Sequence, residues 1–145
     1  MGEAIRLGAL TIRFLLEGER SGGSVAIFEF EVPAGTRVPI PHSHDAYEET
    51  MYGLEGTLRW TLDGAPVDVG PGEALCVRRG VVHFFENATA RDARALAIVS
   101  PGVLGPGYFR ELAAVLAAAG GGPPDLGAVA ATMRRHGLTL ALDQV

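Results

Sequence analysis

From Ile5 to about Ser100 the chain is written in short apolar runs whose alternate residues share a face, each cut off by turn-forming residues. Strand side chains repeat with period two, so this pattern confines the segment to half-buried strands rather than helices. In SVAIFEFEVPAG, Ala26, Phe28, Phe30 and Val32 fall on one face before Pro33-Ala34-Gly35 breaks the run. In TLRWTLDG, Leu58, Trp60 and Leu62 do the same, and Asp63-Gly64 follows as a strong hairpin signal. ALTIRFLLEGE, EETMYGLEG, APVDVGPGE, ALCVRR, VVHFFEN and ALAIVSPG complete the series. Many short strands at this spacing predict an all-β sandwich or barrel, with the 20 glycines and 9 prolines as its punctuation.

The pattern changes after Pro106. YFRELAAVLAAAG is rich in Ala and Leu and reads as a helix that ends at Gly120-Gly121-Gly122. Pro123-Pro124-Asp125 then opens a second helix, LGAVAATMRRHG, with Asp125 as its cap and Gly137 as its stop. TLALDQV reads as a short tail. Residues 1–105 are therefore assigned to the barrel. Residues 106–145 form a C-terminal helical extension of the same domain, expected to cover the barrel or a subunit interface.

Several function classes are excluded early. A net charge of −5 gives no basic footprint for nucleic acid, and no DNA-binding segment is seen. No apolar run approaches the roughly 18 residues of a membrane span. The start, MGEAIRLGALTIRF, lacks the order of a secretory signal, and Arg6 stands where a myristoylation signal needs Ser or Thr. Cys76 is the single cysteine, so no internal disulfide forms, and a reducing, cytoplasmic setting is expected. Cys76 itself reads as a small buried hydrophobe.

Three of the four histidines fall into one pattern. His42, His44 and Glu49 lie in PHSHDAYEE as His-x-His-x4-Glu, and His83 lies on the separate strand-like run RRGVVHFFEN. His-x-His puts both rings on one face of an extended chain. Three imidazoles and a carboxylate suit a divalent transition ion such as iron, manganese, nickel, copper or zinc. Glu48 competes with Glu49 for the carboxylate role, but strand parity separates them and spacing to Gly56 favours Glu49.

These residues resemble the cupin superfamily, whose two motifs are both present. The first runs from Gly35 through His42, His44 and Glu49 to Gly56, with six residues between Gly35 and His42 where the family usually has five. The second runs Gly72, Gly80, His83 and Asn87, with Arg78 in the usual place of a proline. The resemblance implies a jelly-roll β-barrel with one ion near a mouth, held by His42, His44, Glu49 and His83. It also implies a homodimer. Phe109-Arg110-Glu111-Leu112, Pro123-Pro124-Asp125 and His136-Gly137-Leu138 are similar to small single-domain bacterial cupins of the quercetin-dioxygenase-like group.

Four protein ligands leave about two open positions on an octahedral ion, and open positions distinguish catalytic from structural ions. A metal-dependent enzyme acting on a small organic molecule is therefore expected, with dioxygenase-like oxidoreductase chemistry and Glu49 as ligand and general base. A non-redox isomerase or cyclase is the alternative, and a non-catalytic ligand-binding barrel is a third reading. Tyr47, Met51, Trp60 and Phe85 are candidates either to line the substrate cavity or to pack in the core. Phe85 and Met51 lie two residues from His83 and Glu49, on the ion's side of regular strands. Arg78 and Arg79 read as a solvated strand end, and His136, beside Arg134 and Arg135 at a helix end, is assigned no chemistry.

Overall fold

The computed structural model describes residues 2–142. Strands β1 (Ala4–Leu7) and β2 (Leu10–Leu16) form a hairpin, followed by β3 (Ala26–Val32) and β4 (Arg37–His44). Then come β5 (Glu48–Glu55), β6 (Leu58–Leu62), β7 (Ala65–Val69), β8 (Ala74–Val77), β9 (His83–Glu86) and β10 (Ala93–Ser100). Two helices, α1 (Pro106–Ala117) and α2 (Leu126–Arg135), precede a last strand, β11 (Leu138–Leu140). The strands make two antiparallel sheets, in the orders β1-β2-β3-β10-β5-β8 and β11-β4-β9-β6-β7. This is the all-β jelly roll with a helical C-terminal extension that the strand pattern and the motifs predict.

Period-two alternation builds the core. Ala26, Phe28, Phe30 and Val32 of β3 are all buried, as are Ala93, Ala95, Ala97 and Val99 of β10, paired with it in one sheet. The Asp63-Gly64 signal closes the β6–β7 hairpin, and both residues take the positive φ (45° and 84°) that a two-residue turn of this hand requires. Gly56, which ends the first motif, has φ +64°, and a Cβ there would sit 2.5 Å from the Asp92 carbonyl oxygen. Only glycine fits both restrictions. Asn87, which ends the second motif, is buried. Its Nδ2 donates to the Val32 and Arg91 carbonyls (3.0 and 2.7 Å), while its Oδ1 accepts from the Thr89 N–H and hydroxyl (3.0 and 2.7 Å).

The run ALTIRFLLEGE is a strand as expected, β2, and Gly8 at φ +61° turns the chain into it from the short β1 that precedes it. Three local expectations need correction. Helix α1 begins at Pro106, where proline's fixed φ suits the first helical position, and it stops at Ala117, before the glycines. Cys76 is exposed, not buried, because it lies on β8, an edge strand, with its side chain turned outward. The tail is no loose end: Leu138, Thr139 and Leu140 pair with His44, Ser43 and His42, while residues 143–145 lie outside the described range. The α2 expectation holds at its start, where Asp125 Oδ1 accepts from the Ala128 N–H at 3.1 Å, and the helix ends at Arg135.

Helix α1 packs on β1, α2 packs on β11, and the two helices pack on each other. On α1, Tyr108, Phe109 and Leu112 form an inward stripe at helical spacing, and all are buried. The Phe109 ring meets Phe28 edge-on at 5.1 Å and Phe14 at 5.9 Å, anchoring α1 to β3 and β2.

Candidate metal centre

The site bridges the two sheets. His42 and His44 project from β4 and His83 from the adjacent β9, with His42 directly opposite His83 in the register. Glu49 comes from β5 in the other sheet and faces them across the interior. The barrel thus joins residues 41 positions apart by strand pairing, and adds the carboxylate by sheet packing. One ligand atom from each of His42, His44 and His83 lies within 4.8 Å of the others. The ring centroids are 4.5 Å apart for His42 and His83, 4.6 Å for His44 and His83, and 5.3 Å for His42 and His44. Glu49 Oε1 is 3.7 Å from His83 Nε2 and 3.9 Å from His44 Nε2. Ligands about 2 Å from a shared ion are themselves roughly 3–4 Å apart.

The protonation pattern leaves lone pairs facing inward. His42 Nδ1 lies 2.8 Å from the Ile40 carbonyl and His83 Nδ1 lies 3.0 Å from the Val81 carbonyl. Each contact places the proton on Nδ1 and frees Nε2 as a donor of electrons, the usual way an outer contact fixes a metal-binding tautomer. His83 Nε2 and His44 Nδ1 are buried with no hydrogen-bond partner. Burial, then the proximity of His83 and His44, holds the His42 imidazole down at about 3; burial and His83 do the same to His44. Both rings are therefore neutral at physiological pH. Buried, neutral, partly unpartnered imidazoles beside a buried carboxylate are a donor set that fits a divalent transition ion.

The second motif and the tail hold this geometry. The Gly80 N–H donates to the His44 carbonyl at 2.8 Å, tying the turn before β9 to β4. The Asp45 N–H donates to the Gly137 carbonyl at 2.8 Å, and Thr139 Oγ1 donates to Asp45 Oδ1 at 2.7 Å. Together with the β11–β4 pairing, these bonds clamp the His-x-His segment from its far edge. Glu48 points outward and is fully engaged by Arg79, at 2.7 Å to each carboxylate oxygen. That pair neutralises Arg79 as an acid-binding group and leaves Glu49 as the inward carboxylate.

The histidines and Glu49 lie in the wall of a cavity of about 60 Å³. Trp60 and Phe85 line it, stacked on each other at 4.5 Å. Tyr47 and Met51 are buried but are not among the lining residues. Tyr47 instead stacks on the His44 ring at 4.7 Å, and its hydroxyl donates to the His136 carbonyl at 3.3 Å. The remaining wall is almost wholly apolar and includes residues that the strand motifs do not mark: Ile40, Leu104, Tyr108, Phe109, Leu112, Met133 and Leu138. The inward stripe of α1 was the available signal for three of them.

Fold and site together define a β-barrel protein with a buried histidine cluster that could hold a metal ion, and comparison with known proteins names the class. Residues 28–99 match the Cupin domain family, and the chain belongs to the cupin superfamily. A curated relative, quercetin 2,3-dioxygenase of Bacillus subtilis, is 27% identical over 111 residues, which is 77% of this chain. The match spans about a third of that relative's length (32%). Among solved structures, the polyketide cyclase RemF from Streptomyces resistomycificus is 29% identical, with a TM-score of 0.57, covering 69% of this chain and 68% of its own. A predicted oxalate decarboxylase from Thermotoga maritima shares the fold at a TM-score of 0.62 and 24% identity, covering 68% of this chain and 90% of its own. No helix among the described residues is long and apolar enough to cross a membrane.

Proposed function

We propose that this protein is a metal-dependent cupin enzyme acting on a small organic molecule, with dioxygenase-like oxidoreductase chemistry. The observation that carries the reading is the convergence of three histidine ligand atoms within 4.8 Å in the wall of an apolar cavity, with the Glu49 carboxylate beside them. His42, His44, Glu49 and His83 are the proposed ligands. A bound divalent ion would supply Lewis acidity and, if redox-active, access to dioxygen chemistry.

The chain's own residues set the conditions. The apolar wall excludes water and strengthens every electrostatic contact inside it. The neutral imidazoles stay available as ligands. Glu49 is placed to accept a proton from a substrate group held within hydrogen-bond reach of its carboxylate. The relative named for quercetin supports the redox reading. The test is oxygen uptake by the iron-, manganese- or nickel-reconstituted protein with quercetin and with smaller phenols. Turnover undiminished under anaerobic conditions overturns the dioxygenase reading.

The likeness to a polyketide cyclase favours a second reading, in which a bound ion would supply Lewis acidity toward a substrate carbonyl and Glu49 would move a proton without redox change. Zinc has no accessible redox change, so turnover by the zinc-loaded protein supports this alternative, and strict dependence on a redox metal counts against it. We further propose that the protein acts as a homodimer, which sedimentation analysis tests directly.

A further inference from the structure

We infer that Tyr108 is a substrate-contacting residue whose phenolic hydroxyl donates a hydrogen bond to an oxygen atom of the molecule held beside the histidine cluster. The inference rests on the cavity being the substrate site. Tyr108 lies in the first turn of α1, is 3% exposed, and shares the cavity wall with His42, His44, His83 and Glu49. Among the described residues its hydroxyl has no hydrogen-bond partner, whereas Tyr47, the other buried tyrosine, donates to the His136 carbonyl. The residue is buried, yet its hydroxyl is not among the sealed, unpaired polar atoms, so it keeps accessible surface that an oxygen of a ligand in the cavity can reach.

The surroundings hold the ring without using its hydroxyl. Phe109 packs edge-on at 5.0 Å and His136 at 5.4 Å, so the phenol is oriented before any ligand enters. Burial and the negative charge of Glu49 raise its pKa well above the ordinary tyrosine value. The group is therefore a neutral donor at all physiological pH. One free O–H donor in a mostly apolar wall selects a molecule with an apolar body and an acceptor oxygen, of the carbonyl, enolate or phenolate kind. Because Tyr108 rides on α1, this specificity comes from the C-terminal extension and lies outside the matched family segment, residues 28–99.

The test compares wild type with Tyr108→Phe in the full chain loaded with cobalt(II), using acetohydroxamate as a compact oxygen-donor probe. Cobalt content is measured by elemental analysis, probe affinity by the visible cobalt spectrum, and thermal midpoints on the metal-free proteins. The expected result is equal cobalt content and a probe Kd raised about tenfold, the effect of one lost hydrogen bond. The metal-free midpoint should stay equal or rise, since no internal bond is lost. Tyr52→Phe, at an exposed position, should change nothing. Equal cobalt with an unchanged Kd overturns the inference, and so does a lowered metal-free midpoint, which would reveal a structural bond. If wild type takes up no cobalt, the metal-enzyme reading fails separately. The midpoint of metal-free Tyr108→Phe then still decides whether the hydroxyl is free for a ligand.

Discussion

Replacing Glu49 by leucine should raise the stability of the metal-free protein and lower that of the metal-bound one. Glu49 is only 5% exposed, accepts no hydrogen bond among the described residues, and faces His44 and His83 at 3.9 and 3.7 Å. A buried carboxylate without a charged or hydrogen-bonded partner is costly. Substituting a hydrophobe of similar volume at such a site is stabilising by about 1–2 kcal/mol, within the range seen for buried charges. For a chain of this size that is a rise of roughly 3–8 °C in the metal-free midpoint. With metal the order reverses. At a free ion concentration of about 1,000 times its Kd, wild type gains roughly 4 kcal/mol; a variant bound about 100-fold more weakly gains only about 1.4 kcal/mol. Differential scanning calorimetry in chelator and in excess metal reads both effects, and a chromophoric-chelator competition gives the affinities. Glu48→Gln serves as control and should behave as wild type, because Glu48 binds Arg79 outside the site. A metal-free midpoint lowered by Glu49→Leu, with the metal-induced shift intact, refutes the placement of Glu49 as an inward ligand.

Other perturbations probe the scaffold around the site. Asn87→Ala should cost about 2–4 kcal/mol in chemical denaturation, since it strands the groups joined by four hydrogen bonds around one buried amide; a cost below about 0.5 kcal/mol contradicts that role. Gly56→Ala should cost at least about 2 kcal/mol, from a left-handed φ and crowding against the Asp92 carbonyl, whereas Gly64→Ala, with positive φ but open space, should cost about 1 kcal/mol. Leu138→Ala should lower the midpoint by roughly 5–15 °C, through a buried void beside the strand that carries His44. Metal affinity should fall with it by about 10-fold or more, as supporting contacts around metal ligands typically do.

The sequence made the strands legible because each repeats its apolar residues with period two, and it made the ligands legible because their spacing is local. His42, His44 and Glu49 span eight residues; strand parity separates Glu49 from Glu48, and the spacing to Gly56 picks Glu49 as the inward one, with Glu48 outside, where the structure pairs it with Arg79. Long-range partners were harder to read. Leu138–Leu140 is three residues long, too short for periodicity to register, and is a strand only because β4 offers an unpaired edge. Tyr108, Phe109 and Leu112 read as one helical stripe, but no local feature says which part of the barrel that stripe covers. Met51 lies two residues from Glu49 and is buried, yet it packs in the core and not along the cavity. Parity chooses a face of the sheet, whereas the position along the strand chooses between core and cavity. Cys76 misled because exposure depends on β8 being an edge strand, which composition does not reveal.

Metal content is the most direct test of the central claim. Protein purified without added metal and then reconstituted should hold about one divalent transition ion per chain, the stoichiometry of a mononuclear site, measured by elemental analysis after gel filtration. His83→Ala should lose nearly all of it while keeping the β-rich circular dichroism spectrum. Wild-type protein that retains no ion, or His83→Ala protein that retains as much as wild type, contradicts the account.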